Sequence, residues 1–209
     1  MTLHLVPLAD RAREPWRNGG GETRELLRWP AALAPDGVPV PEIGADDWLI
    51  RVSVAEIARD GPFSAYPGIE RWFAVLHGSG VRLGLPEGEQ TLRPGDEALH
   101  FAGEAGPTCT LLEGSTQDLN LMHRRGPVGS PIVGPTGGPR ALMRRARPGS
   151  VLRGRLPWRA LYAHAPTTLI TDEESHDLPA GTLVWSDAQT TEIWEVAGTQ
   201  AAFWMSLAT

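Results

Sequence analysis

Glycine and proline break this chain into short pieces. The 24 glycines and 19 prolines recur about every eight to twelve residues, with runs of Val, Leu, Ile, Trp and Phe between them. Such punctuation argues for many short strands in a sandwich or barrel. The clearest strand is DDWLIRVSVAEI, with Trp48, Ile50, Val52 and Val54 on one face and Leu49, Arg51, Ser53 and Ala55 on the other. ERWFAVLHGSGVRLGL reads as a hairpin: strand, tight HGSG turn, strand, its glycines supplying the positive φ of the turn. TLRPGDEALHF reads as a strand edge, a Pro-Gly-Asp turn and a second strand. PTCTLLEGSTQDLNLMHRR gives two more, the last with Asp118, Asn120, Met122 and Arg124 on one face. Helix signals are few: RALMRRA is short, and LADRARE suits a turn.

A chain of 209 residues, 41% hydrophobic and 21% charged, can hold one large core or two small ones. An internal echo favours two. LRPGDEALHF from Leu92 and LPAGTLVWSD from Leu178 share a Leu, a Pro, a Gly and a following strand. RRGPVGSPIVGPTGGPR, Arg124 to Arg140, is the natural connector. The proline-rich segment from Trp29 to Asp47 reads as a surface excursion, since four prolines leave little for a strand ladder.

The same composition excludes several chemistries. All 19 basic side chains are arginine, which removes Schiff-base lysine chemistry and the lysine of a P-loop. The lone Cys109 cannot form an internal disulfide, excludes cysteine-based zinc sites, and reads as a small buried hydrophobe in a strand. A net charge of −6 argues against a nucleic-acid partner. Nine arginines and no acid lie between Asp118 and Asp172, then seven acids and no arginine to Thr209; pairing within one folded unit explains both blocks. No apolar run approaches a membrane span and the N-terminus lacks a signal-peptide pattern, so no membrane is expected and the cytoplasm is the default location.

PWRNGGGETREL, Pro15 to Leu26, raises the question of a phosphate cradle. A Walker loop needs Lys and Ser or Thr after its last Gly, and a dinucleotide loop needs G-x-G-x-x-G between strand and helix. Neither is present. Close backbone packing, or a bulge near a ligand mouth, is the expected role of Gly19 to Gly21.

The tandem β units and the WFAVLHGSG segment resemble the cupin superfamily. PWRNGGGETREL, RVSVAEIARDGPFSAYPGIERWFAVLHGSG and DLNLMHRRG resemble the three signature blocks of the HutD/Ves family, in the same order and at similar spacing. They span Pro15 to Gly126; the second half matches by its general β character. The resemblance implies an all-β bicupin of two jelly-roll, double-stranded β-helix barrels. The expected division is residues 1–125, a connector at 126–139, and a shorter second barrel at 140–209. It also implies an association with bacterial histidine-utilisation genes, in a regulatory or metabolite-binding role with no established reaction.

Metal is the usual cupin cofactor. Glu70 stands where a ligand belongs, yet FSAYPGI before it holds no histidine, and His100 comes too early after the Gly95-Asp96 turn. His77 and His123 join no cluster by spacing, and His4, His164 and His176 are isolated. No cofactor is expected. What remains is a polar set: Arg51, Ser53, Glu70, Arg71, Asp118 and Asn120 on strands, with Trp16, Asn18, Gly19 and Gly20 from the glycine loop. A small barrel has room for one ligand oriented by a few convergent polar groups. Arginine's planar fork suits a carboxylate, so the expected partner is a small anionic metabolite. Arg51 and Arg71 would hold the acid, Asn18 and Ser53 hydrogen-bond it, and Trp16 wall it. Ion pairs stitching the barrel mouth are the competing role for the charged members. Three functions stay open: a metal-independent binder of a small carboxylate, a metal-free isomerase or lyase using Glu70 or His77 as acid or base, and a docking protein with filled barrels. Eight tryptophans leave room for a homodimer interface.

Overall fold

A computed structural model describes residues 2–29, 48–125, 140–198 and 202–208. They contain nineteen strands. In chain order these are β1 (His4–Pro7), β2 (Glu14–Pro15), β3 (Gly21–Trp29), β4 (Ile50–Ile57), β5 (Gly61–Pro62), β6 (Ile69–His77), β7 (Val81–Leu85), β8 (Gly88–Leu92), β9 (Leu99–Ala102) and β10 (Thr108–Leu111). There follow β11 (Thr116–Arg124), β12 (Arg140–Ala146), β13 (Val151–Leu152), β14 (Trp158–Ala163), β15 (Thr167–Ile170), β16 (Ser175–Leu178), β17 (Thr182–Ser186), β18 (Trp194–Gly198) and β19 (Ala202–Ala208). Among the described residues, helix is limited to two 3-10 turns, Leu8–Asp10 and Gly103–Ala105. No helix among them is long and apolar enough to cross a membrane.

The chain divides into two units, Ala12–Gly138 and Met1–Arg11 with Pro139–Thr209. Each is built on the same eight strands. In the first, β4-β11-β6-β9 form the body of one sheet and β5-β10-β7-β8 the other. In the second the orders are β12-β19-β14-β17 and β13-β18-β15-β16, the same pattern eight strands later. Two antiparallel four-stranded layers wound this way are a jelly-roll barrel, so the chain is a bicupin. The sequence echo falls at equivalent places: the Leu92 turn joins β8 to β9 and the Leu178 turn joins β16 to β17, each passing from a four-stranded sheet to the larger one.

Additions to the repeat distinguish the units. β2 and β3 extend the first barrel's sheet beyond β4, while β1 pairs with β17 from His4↔Trp185 to Pro7↔Thr182. Residues 1–11 therefore group with the second unit, not with the first barrel as the expected 1–125 boundary has it. The connector at 126–139 and residues 30–47 of the expected excursion lie outside the described residues.

Two local expectations are corrected. HGSG is a corner between sheets, not a hairpin: β6 pairs with β11 and β9, β7 with β8 and β10. Gly78 and Gly80 have φ of 90° and 104°, and a Cβ on either would collide with backbone, at Ser115 and Leu92 respectively. The glycines thus let the chain change layers under close packing as well as supplying positive φ. RALMRRA is strand β12, not helix, paired with β19 along all seven residues. A helix of that length is marginal, whereas the sheet edge satisfies its backbone groups.

Each barrel has its own interior. In the first, Ile57, Phe73, Val75, Val81, Leu83, Leu92, Phe101 and Cys109 pack between the layers. In the second, all eight strands contribute, with Leu161, Leu169, Trp194 and Trp204 among the buried residues. Burying a side chain of this size stabilises by about 1.5 to 3 kcal/mol. The first barrel's apolar interior stops short of one end, where β4, β6 and β11 carry polar residues.

Candidate functional site

The cavity at that end has a volume of about 380 Å³ and lies within the first unit. Ladder register determines what it contains. Met122 on β11 stands opposite Arg51 on β4 and Arg71 on β6; two residues along, Asn120 stands opposite Ser53 and Phe73; two further, Asp118 stands opposite Ala55 and Val75. Residues opposite one another in a ladder share a face, so this row points into the barrel. Arg51, Arg71, Asp118, Asn120, Met122 and Ala55 line the cavity.

The glycine loop forms part of the rim. Asn18 Oδ1 accepts the Gly20 N–H at 2.9 Å, and the Gly19 N–H donates to Trp16 O at 2.9 Å. Ala58 N–H reaches Gly20 O at 2.8 Å, tying the loop to the end of β4. Gly19 has φ of 66°, and a Cβ on Gly21 would collide with the Glu56 carbonyl. The loop's amides are spent on itself rather than turned outward to phosphate. Its product is the placing of Trp16, whose Nε1 donates to Thr23 Oγ1 at 2.7 Å and whose ring meets Phe63 edge-on at 6.4 Å.

The opposite wall is the segment Pro62 to Tyr66, pinned by Phe63 N–H to Pro107 O at 2.9 Å and Tyr66 N–H to Gly103 O at 2.7 Å. It delivers two rings to Arg71. The Arg71 guanidinium carbon lies 5.1 Å from the Phe63 ring centre, 5.8 Å from Tyr66 and 5.2 Å from Phe101. Arg71 is 4% exposed. Its Nη2 donates to Asn120 Oδ1 at 2.7 Å; its Nε is buried without a partner. Burial lowers its pKa to about 10, against the opposing pull of Asp118 and Tyr66 and with a further push from Arg51. A cation held mainly by aromatic faces and one amide retains unused hydrogen-bonding capacity.

Asn120 bridges Arg71 and Asp118: its Nδ2 donates to Asp118 Oδ2 in a short contact. Asp118 is 1% exposed, and burial raises its pKa to about 8 although Arg71 pulls the other way. Arg51 is more committed. Its Nε pairs with Glu25 Oε2 at 2.7 Å, while Glu25 Oε1 pairs with Arg28.

Of the ten residues singled out in the sequence, the cavity lining includes Trp16, Asn18, Arg51, Arg71, Asp118 and Asn120. Gly19 and Gly20 shape the rim without lining it, and Ser53 is buried beneath the lining. Glu70 faces away. Its carboxylate pairs with His100 Nε2 at 2.8 Å and Arg125 Nε at 3.3 Å, and Arg125 also reaches Glu104. His77 is exposed and outside the cavity lining, so neither acid–base candidate of the enzyme reading reaches the cavity. Phe63 and Tyr66, not among those ten, wall the site. Their place eight and five residues before Arg71 was the available signal.

The residues do not fit the metal usual in cupins. The inward row on β4, β6 and β11 brings one carboxyl (Asp118), one amide (Asn120) and one thioether (Met122), set beside the guanidinium groups of Arg51 and Arg71 that repel a cation. Among the described residues, no three His, Cys, Asp or Glu side chains gather as a metal site. His123 lies on the other face of β11, and the buried Cys109 thiol is pushed up to about 12, away from thiolate.

The second barrel offers an internal control. Its strand β14, equivalent to β6, also carries an inward arginine near its start, Arg159, fully buried. There, however, Nη1 donates to Glu192 O at 2.6 Å, and Nη2 to Thr190 O at 2.7 Å and Gly154 O at 2.9 Å. Three backbone carbonyls occupy the terminal nitrogens of one guanidinium, whereas those of the other have a single side-chain acceptor; Nε is buried without a partner in both.

The HutD family model matches residues 8–203. An uncharacterized 21.2 kDa protein in the hutC 3′ region of Pseudomonas putida is 37% identical over 123 residues, 58% of each chain. Protein Ves of Citrobacter koseri is 39% identical over 112 residues, 53% of this chain and 52% of that one. The matched region thus spans little more than half the length of these curated relatives. Among solved structures, HutD from Pseudomonas fluorescens SBW25, in a formate condition, superposes with a TM-score of 0.75 at 21% identity over 99% of this chain and 98% of that one. Salicylate 1,2-dioxygenase from Pseudoaminobacter salicylatoxidans, in complex with gentisate, shares the fold at a TM-score of 0.57 and 9% identity, covering 98% and 82%.

Proposed function

The chain belongs to the HutD family, and we propose that its first barrel is a metal-independent receptor for a small carboxylate metabolite, serving a modulating role in histidine utilisation. The observation that carries the reading is the state of Arg71. A buried guanidinium with one hydrogen-bond acceptor is costly unless something completes it. Arg159, at the equivalent strand of the other barrel, has both terminal nitrogens satisfied by carbonyls from its own chain, although its Nε, like that of Arg71, is buried without a partner. At Arg71 the corresponding acceptors would come from a guest, and a carboxylate supplies two oxygens in the geometry a guanidinium takes up. Trp16, Phe63 and Tyr66 exclude water around the pair, which strengthens it. A cavity of about 380 Å³ admits a metabolite-sized acid and no polymer. The link to histidine utilisation draws on the Pseudomonas putida relative, described by its place in the hutC 3′ region.

A thermal-shift screen of small mono- and dicarboxylic acids in carboxylate-free buffer tests this. An acid present at a hundred times its Kd stabilises the folded state by about 2.7 kcal/mol. The reading requires stabilisation by at least one acid and its loss in Arg71→Met. Unchanged stabilisation in that variant would refute it, and turnover of the bound acid would replace a receptor by an enzyme.

A further inference from the structure

Asp118 is the buried titratable group that carboxylate binding by Arg71 leaves without a task. It lines the cavity, yet its ladder neighbours are the apolar Ala55 and Val75. It forms no ion pair among the described residues. A carboxylate buried without a direct cationic partner is among the most expensive groups a fold can hold, and protonation is the ordinary escape. The Asn120 amide leads to the same conclusion. Its oxygen is taken by Arg71 Nη2, so its nitrogen faces Asp118 Oδ2, while Asp118 Oδ1 has no hydrogen-bond partner among the described residues. One carboxyl oxygen is thus an acceptor and the other is available to carry a proton.

We propose that Asp118 is held as an un-ionised carboxylic acid at the cavity floor and donates its proton in a hydrogen bond to an acceptor atom that the bound acid carries beside its carboxylate. This rests on the reading of the cavity as a carboxylate site and names its ligand class: 2-oxo acids and their relatives with an acceptor next to the acid group. The groups that face or surround Asp118 agree with it. Arg71 on β6 and Arg51 on β4 are the nearby cations, the latter tied to Glu25 on β3. Cys109 on β10 stays a neutral thiol, Tyr66 lies against Arg71, and Glu14 and Arg17 stand at the rim. With the incoming anion on Arg71, a second negative charge beside it would be repelled. A neutral donor is what the arrangement favours. No proton is transferred to the ligand; the O–H is shared.

The test uses the full chain and two probes of matched size, pyruvate and propionate, one with and one without a carbonyl beside the carboxylate. Infrared difference spectra of wild type minus Asp118→Asn report the protonation state without any ligand. The expected result is a carbonyl stretch of un-ionised carboxyl at mildly acidic pH, lost as the pH passes about 8. By calorimetry, wild type should prefer pyruvate about ten-fold or more, the usual consequence of leaving a buried donor unmatched. Asp118→Asn, which keeps a neutral donor, should retain the preference, and Asp118→Ala should lose it. Absence of the infrared band overturns the proposal. So does equal binding of the two probes, or a preference that survives in Asp118→Ala, while the carboxylate site itself stands. Failure of both probes to bind, or undiminished binding in Arg71→Met, overturns the carboxylate reading and the donor role with it; the infrared band still reports the state of Asp118 separately.

Discussion

Replacing each interior arginine by methionine should move stability in opposite directions. Methionine keeps the length and apolar stem of arginine and removes the charge, so packing changes least. At Arg71 the wild type buries a cation with one hydrogen bond, and the fall of its pKa to about 10 corresponds to roughly 3 kcal/mol of destabilisation of the charged form. Methionine relieves that cost, forgoes the contacts with Phe63, Tyr66 and Phe101, and leaves Asn120 Oδ1 without its donor, a loss of about 1 to 2 kcal/mol. The net expectation for Arg71→Met without ligand is about 1 to 2 kcal/mol more stable than wild type. Arg159→Met gains the same kind of relief, since burial lowers that pKa too, but three backbone carbonyls lose their donor at about 1 to 3 kcal/mol each, so the variant should be less stable than wild type. Urea unfolding followed by tryptophan fluorescence, in carboxylate-free buffer, measures both. A loss of stability in Arg71→Met comparable to that in Arg159→Met would show that Arg71 is a structural residue like its counterpart, and the receptor reading would lose its main support.

Three further outcomes follow from the same geometry. Gly21→Ala sets a Cβ against the Glu56 carbonyl, so the loop must shift; the variant should lose about 1 to 3 kcal/mol in urea unfolding and show altered Trp16 fluorescence. Asp118 titrates near 8 when folded and near the usual carboxyl value when unfolded. Its neutral form therefore contributes stability that is present below about pH 4 and lost as the pH rises through about 8, and Asp118→Asn should flatten the fall in Tm across that range. Burial lowers His123 to about 4, with His100 adding to the effect, so the stability of the neutral ring is lost as the pH falls from about 6.5 through 4. His123→Phe should lack that acid loss in a Tm titration, and a profile like that of wild type would contradict the assignment.

The strands around the cavity were legible because alternation in RVSVAEI and QDLNLMH survives folding: Arg51, Asp118 and Asn120 face inward as their parity requires. The repeat showed itself through its turns, since a turn at equivalent positions needs similar residues even when the strands have diverged. What failed had physical causes. Glycines in HGSG satisfy a hairpin and a change of layer equally well, and only long-range pairing separates the two. His4–Pro7 pairs with strand β17 at the far end of the chain, and so distant a partner leaves no local mark. Glu70 and Arg71 are adjacent and of opposite charge, so the pair looked like one feature, yet neighbours in a strand point to opposite faces. Arg159 lay unmarked inside a basic block, although it is buried with its terminal nitrogens on backbone carbonyls while exposed arginines precede it in sequence.

The most direct measurement is a crystal structure of the full chain soaked with 4-bromobenzoate, an acid that does not alkylate side chains and whose bromine can be located by anomalous scattering. Bromine density is expected inside the first barrel, with the carboxylate oxygens on the Arg71 guanidinium and none beside Arg159. A cavity closed by side chains, or bromine confined to the outer surface at every concentration used, would contradict it.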